Sequence, residues 1–367
     1  MSDRKIIFYK LSFWKKLFIP KMILLLFKLT NKKSFIYINN LKQLERISLN
    51  NSDKIITWGN KYKKELEIFK IKYQLDIISC EDGFIRSCGL GSNFVTPTSL
   101  VFDYKGIYYD CSKESDLEFF LNNHNYSLGE ISLAKKIINK IIKNRVSKYN
   151  VILKNNHKDL FNNIKKKILV VGQVEDDDSL KYGTFHIKSN LHLLKTVKKK
   201  FKNYSIIYKP HPDVEVKNRK GNLSDSEVLK YADFIAKKSN MLDILESVDS
   251  VHTMTSLAGF EALIRKKKVY VYGAPFYAGW GLTHDLYKDK NFFKRRVKKL
   301  SIEKLVYGAL IYYNVNFSDQ ISKILRLDKY LDNFKRKKHF INTDSSLPKN
   351  LYKIKNITNL YLKENFK

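Results

Sequence analysis

Four consecutive acids, Glu175-Asp176-Asp177-Asp178, follow the apolar run Lys167–Gln173 in a chain of net charge +33. Carboxylates crowded together repel one another unless a cation, a hydrogen-bond donor or solvent relieves them. The run is therefore a solvated acidic turn at a helix N-terminus, a catalytic carboxylate or a metal site. A second acidic pair, Glu81-Asp82, leaves the apolar run Leu75–Ser79. Gly83 then permits a tight turn, and Arg86 can pair with an acid or grip an anionic sugar. In Tyr208-Lys209-Pro210-His211-Pro212, prolines on both sides hold His211 extended. Lys209 beside it can hold a phosphate, and His211 can donate a proton to a leaving phosphate. In His252–Glu261, Thr255 or Ser256 can cap the next helix, whose N-terminus is an anion site, with Glu261 placed to accept ribose hydroxyls. The loop Tyr272–Gly281, opening at Gly273, is rich in glycines that admit a ligand and aromatics that stack on a base or sugar. Each motif also has a plain structural explanation as a turn, a capped helix or an aromatic core loop.

The elements that must position these residues alternate between strand and helix. Ser34–Ile38, Lys54–Trp58 and Leu75–Ser79 read as short buried strands, and Tyr62–Tyr73 as an amphipathic helix. Ser99–Asp110 reads as a hairpin turning near Lys105-Gly106. Ser132–Lys148 reads as a long Lys-rich helix. A polar stretch, Lys154–Lys158, falls near a domain boundary. A second cycle follows. Lys167–Gln173, Ser205–Lys209, Val251–Thr253 and Val269–Tyr272 are strands; Leu191–Phe201, capped by Ser189 or Asn190, and Leu257–Lys266 are helices. Residues 301–335 look helical, Asn342–Lys349 is polar, and the last residues are basic. Such alternation implies an α/β chain with parallel sheets, and two blocks of it imply two Rossmann-like domains with a cleft between them. The expected division is 1–160, 161–300 and a C-terminal unit at 301–367. The unusual residues sit at strand carboxyl ends, where ligands bind in such sheets.

The chain has 367 residues, 44% of them hydrophobic, ample for two cores and too apolar for a disordered chain. Its 69 Lys and Arg against 36 Asp and Glu should attract anionic partners. The basic charge is spread along the whole chain, without a helix-turn-helix, zinc or RNP signature, which argues against a nucleic-acid binder. Three cysteines with no CxxC pair argue against a disulfide framework or zinc site and fit a reducing cytoplasm. No Walker loop or GxGxxG opens either half. Residues 11–29 are apolar but carry four lysines, too broken to span a membrane. They are either an interfacial segment pressed on anionic lipid or a buried element, and the interruption by Pro20 favours burial.

Taken in order, EDGFIRSCGLGSNFVTPTSLVFDYKGIYYD, GQVEDDDS, YKPHPDV, VHTMTSLAGFEALIRKKKV and YGAPFYAGWGLT resemble the KpsC (LipB) family of capsule polysaccharide biosynthesis proteins, from about Trp58 to Tyr313. The resemblance implies a GT-B-like fold and retaining transfer of β-Kdo, an acidic eight-carbon sugar, from CMP-Kdo to a lysophosphatidylglycerol-anchored acceptor. It implies a nucleophile in the Gln173–Asp177 loop, Asp177 before Asp176, with Glu81 as general acid/base. Arg86, with Asp82 and Gln173, would meet the carboxylate of Kdo or of the acceptor. Lys209, His211, Pro212, Thr255, Ser256 and Gly273 would hold CMP, and Glu261 its ribose. No cofactor or metal is expected, and the protein is expected at the inner face of the cytoplasmic membrane, with other capsule assembly proteins as possible partners. The chain departs from the family in having one module where many members have two, and in Asp178 and Cys88. Another CMP-sugar as donor and a non-catalytic scaffold are the alternatives.

Overall fold

The computed structural model describes residues 4–30, 33–150, 166–215, 219–287, 290–336 and 356–358. The polar stretches Lys154–Lys158 and Asn342–Lys349 lie outside the described residues. In chain order the strands are β1 (Ile6–Tyr9), β2 (Phe35–Ile38), β3 (Lys54–Trp58), β4 (Asp76–Asp82), β5 (Ser99–Asp103), β6 (Lys167–Val171), β7 (Ser205–Lys209), β8 (Phe234–Ile235), β9 (Ser250–Thr253), β10 (Lys268–Val271), β11 (His284–Asp285), β12 (Asn314–Phe317) and β13 (Ile324–Leu325). They form two sheets, ordered β13-β12-β5-β4-β3-β1-β2 and β11-β10-β9-β6-β7-β8.

The second sheet is parallel throughout. The first is parallel from β2 to β4 and antiparallel beyond it. This corrects the expected hairpin: β5 pairs antiparallel with β4, Glu81 opposite Val101. Past β5 the chain turns because one carboxylate oxygen of Asp103 accepts the amides of Lys105 and Gly106, at 3.0 and 2.6 Å. A turn whose donors are taken by its own Asp has none left to build a return strand. The expected all-helical stretch 301–335 is also corrected. Helix Ile302–Val306 runs into a π-helical stretch, Tyr307–Tyr312, and β12 and β13 then add to the first sheet at its β5 edge. The C-terminal unit is therefore partly built into the N-terminal sheet.

β1 is a strand the sequence reading lacks. It is the centre of the first sheet's parallel half, and all four of its side chains are buried. Its two faces feed two cores: Ile6 and Phe8 pack with Phe18, Ile19 and Met22, and Ile7 and Tyr9 with Leu66 and Phe69. Pro20 does not interrupt the 11–29 segment. It sits in the first turn of helix Ile19–Phe27, where its missing N–H costs nothing, and that helix buries Ile19, Pro20, Met22 and Ile23. The preceding short helix, Phe13–Lys16, buries no residue.

Under the cleft the two domains share one core. Phe84, after β4, packs its ring 4.7 Å from that of Phe276 and 6.3 Å from that of Phe260, both from the second domain. This junction fixes the two sets of strand ends relative to each other.

Candidate active site

A cleft of about 860 Å³ opens between the sheets, at the carboxyl ends of β4, β6 and β7. On its first wall stand Glu81 and Asp82. Burial, followed by the charge of Asp82, pushes the Glu81 carboxyl up to about 8, with Asp177 adding to the rise. One oxygen of Glu81 accepts the Asp82 amide at 3.0 Å. Asp82 pairs with Arg86 Nε at 2.6 Å, and its other oxygen is buried with no hydrogen-bond partner among the described residues. Arg86 lines the cleft and is engaged through Nε and Nη1. Besides Asp82, its Nη1 donates to Ser87 Oγ at 2.8 Å and to the Val95 carbonyl at 2.7 Å. The pair orders the loop after β4, and Asp82 is the guanidinium's counter-ion.

The second wall is the acidic loop after β6. Asp177 caps helix Asp178–Gly183, its side chain accepting the Ser179 amide at 2.9 Å while the carboxylate faces the cleft. Asp176 also lines the cleft; it is 47% exposed and pairs at 3.0 Å with Arg219, another lining residue. Asp178 is half-buried beside Asp177, and that burial and neighbour raise its pKa. Gln173 is buried and holds its own domain together. Its Oε1 accepts the amides of Thr255 and Ser256 at 2.9 and 3.1 Å, and its Nε2 donates to Thr255 Oγ1 at 3.0 Å. It positions the loop before helix Leu257–Ile264 through these bonds.

This also changes the expected phosphate site at the start of that helix. The amides of Thr255, Ser256 and Ala258 are already taken, the last by the Ser256 side chain at 3.2 Å. Lys209 does not reach the cleft: it is 2% exposed and bound to Glu215 at 2.7 Å, and burial lowers its pKa. Gly273 is a packing glycine, since a Cβ there would meet the Gly183 carbonyl at 2.6 Å and Thr255 Cγ2 at 2.9 Å. His211, Pro212, Thr255, Ser256 and Glu261 do line the cleft. His211 Nδ1 accepts the Asp213 amide at 3.1 Å, which leaves the proton on Nε2. Burial holds this ring neutral, with its pKa lowered to about 4. Glu261 accepts the Lys148 amide at 2.7 Å, and burial raises its pKa.

Among the residues that the sequence reading misses are Gly59, beside Glu81, and the cleft lysines Lys15 and Lys148. Gly59, at φ +64°, lets the acids approach: a Cβ there would stand 2.7 Å from the Tyr109 hydroxyl and 3.5 Å from Glu81 Oε2. Lys15 sits 3.8 Å over the Trp58 ring, facing Glu81 and Asp82. Lys148 comes from the segment after helix Leu128–Lys143. The φ of Gly59 has no sequence signature beyond Trp-Gly-Asn, and the two lysines are two among many. Among the described residues, no group of three His, Cys, Asp or Glu side chains is arranged to hold a metal ion.

Two α/β domains that close on a cleft of opposed carboxylates, with strand carboxyl ends on both sides, define a GT-B-like fold. A family model described as capsule polysaccharide biosynthesis protein matches residues 53–317, and the chain belongs to that family. It is 44% identical over 279 residues to the capsule polysaccharide modification protein LipA of Neisseria meningitidis, covering 76% of this chain and 38% of that protein. The lipopolysaccharide-processing protein LpsZ of Rhizobium meliloti is 38% identical over 262 residues, 70% of this chain and 58% of that protein. The chain thus spans 38% and 58% of the length of these curated relatives. Among solved structures, the β-Kdo 2,7 transferase of Thermosulfurimonas dismutans KpsC is similar, with a TM-score of 0.71, 33% identity and coverage of 91% of this chain and 99% of that one. The β-Kdo 2,4 transferase of the same KpsC gives a TM-score of 0.74 at 25% identity, covering 89% of this chain and 97% of that one.

Proposed function

We propose that the chain is a retaining β-Kdo glycosyltransferase that moves Kdo from CMP-Kdo to an anionic, lipid-anchored capsule acceptor. The observation that carries this reading is the opposition of Glu81 and Asp177 across one cleft, in a fold shared over nine-tenths of the chain with two β-Kdo transferases. Retention calls for two displacements. The Asp177 carboxylate attacks the anomeric carbon, and the bond to the CMP phosphate breaks with its electron pair leaving on phosphate oxygen. The Nε2–H of His211 hydrogen-bonds that departing oxygen. Glu81 then takes the proton of the acceptor hydroxyl, whose oxygen displaces Asp177 and restores the carboxylate. Ester formation at Asp177 removes one of the charges that hold the proton on Glu81, so the first step prepares the base for the second. Glu261 accepts ribose hydroxyls, and Ser256 borders the phosphate.

Protein donors meet the leaving phosphate in this reading, so EDTA leaves the rate unchanged. The basic surface suits an anionic donor, an anionic acceptor and the inner leaflet of the cytoplasmic membrane. No helix among the described residues is long and apolar enough to cross that membrane, and the reading places the protein against its surface.

The test is mass spectrometry of product and intact protein after incubation with CMP-Kdo and Kdo-terminated lipid acceptors. Asp177→Asn, which keeps a capping side chain, should lose at least ~10³-fold in rate, as expected for a nucleophile. Asp176→Asn, at an exposed ion pair, should stay within a few-fold of wild type. A Kdo adduct on the protein mapped to Asp177 supports double displacement. Folded protein that releases no CMP with any acceptor removes the assignment.

A further inference from the structure

The two cations expected to meet substrate are spoken for: Arg86 is bound to Asp82 and Lys209 to Glu215. Lys15, Lys61 and Lys181 also line the cleft without an ion pair among the described residues, and Lys148 differs from them in that its main chain bridges both walls. Among the described residues its ammonium has no hydrogen bond or ion pair, and only the Tyr149 ring lies near, 5.3 Å from Nζ. Its main chain, by contrast, is tied to both walls of the cleft. The Lys148 amide donates to Glu261 at 2.7 Å, and its carbonyl accepts the amides of Arg86 and Ser87 at 2.9 and 3.3 Å. On either side, the Tyr149 carbonyl accepts the Gly89 amide at 2.8 Å, and the Val146 carbonyl accepts Arg265 Nη2 at 2.9 Å. The side chain thus starts from a fixed point, and its charge lies within the electrostatic reach of Tyr108, Asp82, Asp177 and His211. Burial works against that charge, while the carboxylates of Asp82 and Asp177 favour it. A fixed cation with no direct ion pair among the described residues, in a half-closed cleft, is a site prepared for an anion.

We propose that Lys148 binds the carboxylate of the donor sugar and selects acidic sugars over neutral ones. This rests on the glycosyltransferase reading above. Kdo is a 2-keto acid, so its anomeric carbon bears a carboxylate beside the leaving phosphate. Asp177 must approach that carbon against the carboxylate's charge. A cation within reach of both relieves the repulsion during attack. His211, held neutral, supplies no such charge.

The experiment compares wild type, Lys148→Met and Lys148→Arg. It measures steady-state kinetics with CMP-Kdo and the dissociation constant of CMP by calorimetry. Both variants keep the Lys148 main-chain bonds, and far-UV circular dichroism with a melting curve verifies the fold. Loss of a charge-assisted bond should raise KM or lower kcat/KM for CMP-Kdo by roughly 10- to 100-fold in the Met variant, with partial recovery in the Arg variant. The CMP dissociation constant should stay within about two-fold of wild type, since CMP lacks the carboxylate whose bond is removed. A parallel loss of CMP affinity would put Lys148 on the phosphate and overturn the assignment. Unchanged kcat/KM in the Met variant would overturn it too. A wild type that transfers no Kdo would instead remove the underlying reading and the inference with it.

Discussion

Gln173 Oε1 stands 2.9 Å from the backbone nitrogen of Thr255 and accepts its proton, so the end of β6 and the start of helix Leu257–Ile264 are locked by one side chain. Gln173→Leu leaves the amides of Thr255 and Ser256 without their acceptor. A buried donor left unpaired costs about 1–3 kcal/mol. Chemical denaturation should show a loss of that order, with KM for the donor raised because Ser256 shifts. Unchanged stability would mean that another group or solvent takes over these amides, and that the start of the helix is not built on Gln173.

The same residue shows where sequence reading stops. A glutamine beside an acidic run reads as a ligand, because nothing local reveals that its partner lies some eighty residues on. The family resemblance, the alternation of strands and helices, and the presence of Glu81, Asp177 and His211 at one cleft were legible, since each follows the end of an apolar run, while Glu261 was legible as the acid of a capped helix. The antiparallel edge was not legible. β5 and β12 pair across more than two hundred residues, and an antiparallel strand has the same composition as a parallel one. Lys209 was misread for a related reason: a lysine beside His-Pro looks like a phosphate ligand until Glu215 is seen to take it.

That pair is itself testable. Lys209 and Glu215 are bound at 2.7 Å with almost no solvent at the lysine. Lys209→Met strands the Glu215 carboxylate, and breaking a buried pair costs about 3 kcal/mol or more. The double variant Lys209→Met, Glu215→Gln should recover part of that loss. CMP affinity of the folded double variant should match wild type within about two-fold, because a lysine off the cleft contributes none of the charge-assisted bonds that set it. Calorimetric titration of CMP checks this, and a large loss would return Lys209 to the phosphate site.

Under the proposed function, helix Phe13–Lys16 is the element suited to meet lipid. Phe13 is 68% exposed, Lys16 follows it, and Trp14 and Lys15 of the same turn line the cleft. If the protein works at an anionic surface, this turn brings the acceptor's headgroup to the cleft mouth. Phe13→Ser with Lys16→Glu should reduce sedimentation with phosphatidylglycerol vesicles by several-fold at low salt, without changing the melting temperature, since neither side chain is in a core. Retention equal to wild type would move the membrane contact elsewhere on the basic surface.

Glu81 sets the pH dependence. With its pKa raised to about 8, it carries a proton at neutral pH in the free enzyme. As the base for the acceptor hydroxyl it must lose that proton, so kcat/KM should rise with pH and level off above about 8. Neighbouring negative charge is part of the cause, so Asp82→Asn, which deletes the largest charge acting on Glu81, makes ionisation easier and moves the limb to lower pH. Glu81→Gln should lose ~10²–10⁴-fold in rate and lose the limb as well. A limb that persists in Glu81→Gln would assign the titration to another group. A rate that falls with rising pH through this range would mean that Glu81 acts in its protonated form and serves the leaving group.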